Sequence, residues 1–115
     1  MTKMKMMETM YKEIATLENS ADTNYREALT LYNRATGKTA AHGTATSAMI
    51  KETKKVYEAS GQYDMGATKF DIEYMVDFYR EETARACALK DMFSKLFGVT
   101  HAAYQNEHHR QQETA

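Results

Sequence analysis

The chain contains no proline in 115 residues, and this absence constrains its fold more than any other sequence feature. Proline removes a backbone hydrogen-bond donor and its ring clashes with the preceding turn, so it is the strongest interruption of a helix. An average chain of this length would carry about six prolines. Glycine occurs only five times, and four of these glycines lie where helical periodicity lapses: Gly37, Gly43, Gly61 and Gly98. The sequence therefore permits long, uninterrupted helices.

Apolar and small residues recur at alternating steps of three and four near the start of the chain, which is the heptad spacing of a helix with one apolar face. The series is Met7, Met10, Ile14, Leu17, Ala21, the polar Asn24, Ala28, Leu31 and Ala35. This spacing predicts a helix over about residues 2–35. Residues 19–24 are rich in side chains that cap helices, so a break and restart inside this segment is an alternative.

Three more helices are predicted, at about residues 45–60, 67–97 and 100–110. The longest of them carries a second series at the same spacing, namely Ile72, Met75, Tyr79, Glu82, Ala86, Leu89, Phe93 and Leu96. A hydrophobic fraction of 43% is too high for a disordered chain. We therefore expect an all-α, elongated helical bundle, with two long helices, a shorter helix between them and a short C-terminal helix, in a single domain over residues 1–115.

The lengths of these helices predict an assembly. A helix of 33 residues is about 50 Å long, whereas a compact domain of this size is only about 35 Å across. The second helix has about half that length and cannot cover both long apolar stripes. An apolar stripe that the chain itself does not cover usually binds another helix. We therefore predict that the chain binds a protein partner, or a second copy of itself in a homodimer, through four residues: Met7, Met10, Ile14 and Leu17.

The charges are unevenly distributed, although the net charge is only −1. Residues 26–55 hold six basic and two acidic residues, a net charge of +4, whereas residues 56–82 carry −5. One interpretation is that the two stretches face each other within the fold or across a dimer. The alternative is that the basic stretch binds nucleic acid through Arg26, Arg34, Lys38, Lys51, Lys54 and Lys55.

No motif predicts catalysis, a metal site or a cofactor. Thr36-Gly37-Lys38-Thr39 matches the end of a phosphate-binding loop, but Tyr32 stands where that loop requires its first glycine. His101 and His108 share a face of the last helix, yet two turns separate them by about 10 Å along the axis, too far to share a metal ion. The sequence therefore predicts no enzyme.

The single cysteine, Cys87, excludes an intramolecular disulfide framework. Its setting inside a predicted helix indicates a small buried side chain in a reducing, cytoplasmic compartment. No apolar run reaches the roughly 20 residues of a membrane span, so no membrane partner is predicted. We expect a non-enzymatic protein–protein interaction module, such as an adaptor, an inhibitor or a small accessory subunit, with nucleic-acid binding as the alternative.

Overall fold

The computed structural model describes the backbone of residues 2–60 and 66–114, and the side chains of residues 2–59 and 71–111. Within these residues the chain forms helices and no strand. The helices are α1 (Lys3–Thr36), α2 (Thr46–Ser60), α3 (Gly66–Phe97) and α4 (His101–Thr114). The predicted all-α class and the order of long, short, long and short helices are confirmed. The largest difference is at the end of α4, which continues to Thr114 rather than to about residue 110.

Local hydrogen bonds explain where the helices begin and end. Thr2 Oγ1 accepts a hydrogen bond from the Lys5 N–H at 3.3 Å, and Thr100 Oγ1 accepts one from the Ala103 N–H at 3.1 Å. Both hydroxyls occupy the N-cap position and satisfy a donor of the first turn. At the end of α1, Gly37 adopts a φ of 74° and its N–H donates to the Asn33 carbonyl at 2.8 Å. This left-handed C-cap costs little at glycine.

Helix α1 is continuous through residues 19–24, so the alternative of a break there is excluded. Ala21 and Tyr25 are both buried on its inner face. On the outer face, the Asp22 carboxylate lies 2.9 Å from the Arg26 guanidinium one turn later. Burial and this local ion pair together favour the helix over the local caps that the segment could form.

The chain folds as two compact units. The terminal unit comprises Met1–Asn19 and Glu82–Ala115, and the central unit comprises Ser20–Glu81. Helices α1 and α3 each contribute one part to each unit. The single-domain organisation over residues 1–115 stays a prediction.

The core of the central unit lies where α1, α2 and α3 meet. Its buried members are Tyr25, Ala28, Tyr32, Met49, Ile72 and Val76. The Tyr25 hydroxyl donates to the Thr44 carbonyl at 2.7 Å and accepts from the Gly43 N–H at 2.9 Å. The Asn33 side chain exchanges two hydrogen bonds with the Ala40 backbone, at 2.9 and 3.1 Å. These four bonds hold the connection between α1 and α2 against α1.

The core of the terminal unit is built around aromatic rings. Phe93 is fully buried, and its ring lies 4.9 Å from that of Phe97 and 5.4 Å from that of Tyr104. Ile14 from α1 and Ala86 from α3 are also buried in this unit. Aromatic pairs at these separations add stabilisation beyond the area that they bury.

Two predictions about α3 are wrong. Leu96, expected on the buried face, is 61% exposed, because Phe97, four residues after Phe93, occupies the buried position instead. Cys87 was expected to be buried and is exposed. It immediately follows the buried Ala86, and a step of about 100° around the helix turns its side chain away from the core.

Replacement of Thr53 by valine is expected to stabilise the protein. Thr53 is fully buried, and its Oγ1 has no hydrogen-bond partner among the described residues. An unsatisfied buried hydroxyl costs free energy that an apolar group of the same shape does not. Thr53→Val should raise the free energy of unfolding by about 1 kcal/mol and Tm by about 4 °C. The matched control, Thr16→Val, alters an exposed hydroxyl that bonds to the Lys12 carbonyl and should leave Tm nearly unchanged. A lower Tm for Thr53→Val in thermal denaturation would contradict the prediction.

Candidate interaction surface

The four residues predicted to bind a partner all lie in the terminal unit. Ile14 is fully buried, and Met7, Met10 and Leu17 are partly buried. The prediction from helix lengths counted only α2 as a cover for the α1 stripe. In the structure, the second part of α3 and α4 pack in the same unit as the first part of α1. Ile14 therefore belongs to the core of the chain itself and is not accessible to a partner.

An aromatic cluster joins α1 to α4 in this unit. The Tyr11 ring contacts three rings of α4, with centroid distances of 5.5 Å to His101, 5.2 Å to Tyr104 and 5.1 Å to His108. Nearby, the Lys90 ammonium lies 3.0 Å from the Glu18 carboxylate. The ring stack gives His101 and His108 a packing role that sequence spacing alone could not reveal.

Burial determines the charge of His101. Its side chain is only 7% exposed, and desolvation, reinforced by the nearby Lys90 ammonium, lowers its pKa below the usual 6.5, whereas Glu18 has a smaller opposing effect. The imidazole is therefore held neutral between aromatic rings. The described residues contain no group of three or more His, Cys, Asp or Glu side chains that could hold a metal ion.

The six basic residues predicted to bind nucleic acid lie in the central unit, and two of them are engaged in ion pairs. Arg26 pairs with Asp22, and the Lys38 ammonium lies 2.7 Å from the Glu52 carboxylate. The remaining four, Arg34, Lys51, Lys54 and Lys55, have exposed side chains. The partners of Arg26 and Lys38 lie outside the acidic stretch 56–82.

Glu52 is the centre of a small polar network on the surface of the central unit. It accepts hydrogen bonds from the Tyr32 hydroxyl and from the Lys38 ammonium. These bonds lower the pKa of the Glu52 carboxyl, with the Lys38 bond as the largest cause, and raise the pKa of Lys38. The Glu52 bond also raises the pKa of the Tyr32 hydroxyl. Lys38 therefore stays protonated, and the adjacent Glu52 carboxylate offsets its charge, which reduces the net positive charge available to a phosphate ligand.

Large apolar side chains are exposed on α3. Tyr74 is 64% exposed, Phe78 44% and Met92 49%. The Tyr74 and Phe78 rings contact each other at 5.4 Å, and with Asp77 and Glu81 they line a shallow depression. Exposed large apolar groups that share one face indicate a binding surface, whereas isolated ones do not.

These side chains belong to a heptad series that continues along α3. We define the α3 stripe as the six exposed residues at alternating steps of four and three: Tyr74, Phe78, Glu81, Arg85, Ala88 and Met92. Residues at this spacing lie on one face of a helix. The stripe was not among the predicted binding residues, because the heptad series first identified in α3 is the one that supplies Ile72, Ala86 and Phe93 to the cores. The sequence contains the stripe as a second heptad series, whose members each lie one residue before a member of the first series, from Met75 to Phe93.

Among the described residues, none of the helices combines the length and the apolar character that a membrane span requires. Comparison with known proteins gives no significant match to a family model, to a curated protein or to a solved structure.

Stability is expected to fall as the pH drops, in part because of His101. Its folded-state pKa lies below the unfolded value of 6.5, so the unfolded state binds the proton more tightly. The stabilising contribution is complete above pH 6.5 and is lost as the pH falls through the folded pKa. Between about pH 7.5 and about pH 5, Tm of His101→Phe should fall less than that of the unmodified protein. His109→Gln, at an exposed position of α4, should retain the original slope, and equal slopes for all three proteins would contradict the assignment.

Proposed function

We propose that this protein is a non-enzymatic protein–protein interaction module, acting as an adaptor, an inhibitor or a small accessory subunit, and that the α3 stripe is its binding face. The observation that carries the proposal is the exposure of Tyr74, Phe78 and Met92 at heptad spacing on one continuous helix. A cytoplasmic location belongs to the same proposal and is supported by Cys87, an exposed thiol in a chain with no second cysteine.

The chemistry of the stripe defines the partner that it fits. An amphipathic helix with its own heptad series buries apolar side chains between those of the stripe, at a crossing angle of about 20°. Burial of each large apolar side chain is worth about 1.5–3 kcal/mol relative to full exposure. Glu81 and Arg85 lie in the middle of the stripe and require opposite charges on the partner. The stripe therefore suits a helix with apolar ends and a charged centre.

The α3 stripe replaces the N-terminal half of α1 as the proposed interface. The set Met7, Met10, Ile14 and Leu17 is more buried than the stripe, and Ile14 is inaccessible to a partner. Met4 and Met6, at 80% and 45% exposure, remain accessible at the start of α1. They are too few to form a seam by themselves.

Site-specific photo-crosslinking inside cells tests the proposal. A photoreactive phenylalanine analogue placed at Tyr74 or at Met92 should form covalent adducts with a protein in the organism that encodes this chain. Thr83 provides the matched control, because it is exposed on the same helix and points about 180° away from Tyr74. Adducts at both stripe positions and none at Thr83 support the proposal. Adducts of equal yield at all three positions, or none at all, contradict it.

Nucleic-acid binding is the second candidate, supported by the exposure of Lys51, Lys54 and Lys55 on α2. Against it stand the ion pairs of Arg26 and Lys38, which leave fewer cations for phosphates. We expect no measurable DNA or RNA binding at physiological salt. Two results together would establish this candidate instead. The first is a submicromolar complex whose affinity falls by about one log unit per log unit of salt for each phosphate contact. The second is a shallower salt dependence in the Lys51→Ala, Lys54→Ala, Lys55→Ala triple variant.

A further inference from the structure

We propose that the α3 stripe binds the α3 stripe of a second copy of this chain, with the two helices antiparallel. This inference rests on the proposed function and names the partner. It comes from the order of residues along the stripe, in which large apolar side chains occupy the ends and opposite charges occupy the middle. Such an order is self-complementary when one copy is reversed.

A single register satisfies every pair of the stripe. The twofold axis crosses the helix at the level of residue 83, which lies midway between the members of each pair, although the Thr83 side chain itself points away from the seam. In this register Tyr74 faces Met92 of the other copy, Phe78 faces Ala88, and Glu81 faces Arg85. These are the pairings that an antiparallel heptad seam requires. Methionine sulfur packs favourably against an aromatic ring, and the small Ala88 leaves room for Phe78. Large and small side chains therefore alternate across the seam.

The central charges select the antiparallel orientation. Among the described residues, the side chains of Glu81 and Arg85 form no ion pair or hydrogen bond, and both are exposed. An antiparallel pair of helices forms two Glu81–Arg85 ion pairs across its axis. A parallel pair in register would place Glu81 against Glu81 and Arg85 against Arg85, and such juxtaposed like charges oppose association.

The dimensions of the seam indicate weak association. From Tyr74 to Met92 the stripe is about 27 Å long, which places it at the small end of specific interfaces. Asp77 and Asp91 border the seam in this register, and the Lys95 ammonium, 2.9 Å from the Asp91 carboxylate, reduces their mutual repulsion. We therefore expect a dimer that forms at micromolar rather than nanomolar concentration.

Charge reversal tests the pairing by sedimentation equilibrium of the purified full chain across a concentration series. Glu81→Arg or Arg85→Glu alone creates like-charge pairs in the seam and should weaken dimerisation at least tenfold. The double variant E81R/R85E restores opposite pairs in the antiparallel register only, and its dissociation constant should return to within about threefold of the original. All three variants change exposed residues, and circular dichroism should show unchanged helix content. A double variant as weak as the single variants would overturn the proposed register.

Disulfide trapping tests the orientation separately. In a Cys87→Ser background, F78C and A88C variants are oxidised alone and then as an equimolar mixture. The antiparallel seam should yield a disulfide-linked dimer in the mixture and little in either variant alone. Dimers that form as efficiently from F78C alone overturn the antiparallel arrangement.

These results separate the partner from the proposed function. If the unmodified chain stays monomeric at millimolar concentration while the stripe still forms photo-adducts with a different protein in cells, the self-pairing is wrong and the interaction module stands. If the stripe forms no adduct with any protein, both proposals fail.

Discussion

Helix α1 passes without interruption through residues 19–24, and Tyr25, which follows directly, is buried in the core of the central unit. The segment has poor intrinsic helix propensity, since asparagine, serine, aspartate and threonine each cost about 0.5 kcal/mol relative to alanine. Five such residues oppose the helix by roughly 2–3 kcal/mol. Burial of Tyr25, together with its two hydrogen bonds to residues 43–44, offsets most of that cost. Tertiary packing therefore maintains a helix that the local sequence does not favour.

The same balance explains why the sequence predicts some features of this chain and not others. Helix boundaries follow from periodicity, glycine and the absence of proline, which are local properties, and the structure agrees with them to about one residue at all but one end. Continuity at residues 19–24 was undecided, because the hydrogen bonds that anchor Tyr25 come from residues nearly 20 positions away. The burial of Ile14 was likewise missed, because it depends on which parts of α3 and α4 pack in its unit.

Helix α3 shows most clearly where periodicity reaches its limit. Two heptad series run along it, and both contain large apolar side chains. Spacing identifies each series as one face of a helix, but only packing determines which face is buried. Phe97 completes the core, whereas Leu96, which was expected to be buried, is exposed. The candidate interaction surface is the heptad series of α3 that neither core contains. It can therefore be identified only when the buried series is known.

Charges at the centre of the α3 stripe contribute more to selectivity than to affinity. An exposed ion pair is worth about 0–1 kcal/mol. A stripe with leucine at positions 81 and 85 would bind a much larger number of different apolar helices. Such a stripe would also expose a continuous apolar surface and aggregate. With Glu81 and Arg85 in place, a helix lacking the complementary charges would remove water from both side chains without offering either one an opposite charge, and this desolvation opposes binding. The stripe thus remains soluble when exposed and disfavours binding to helices that are wholly apolar. A second copy in the antiparallel orientation presents the same two charges in reverse order and so supplies an opposite charge to each.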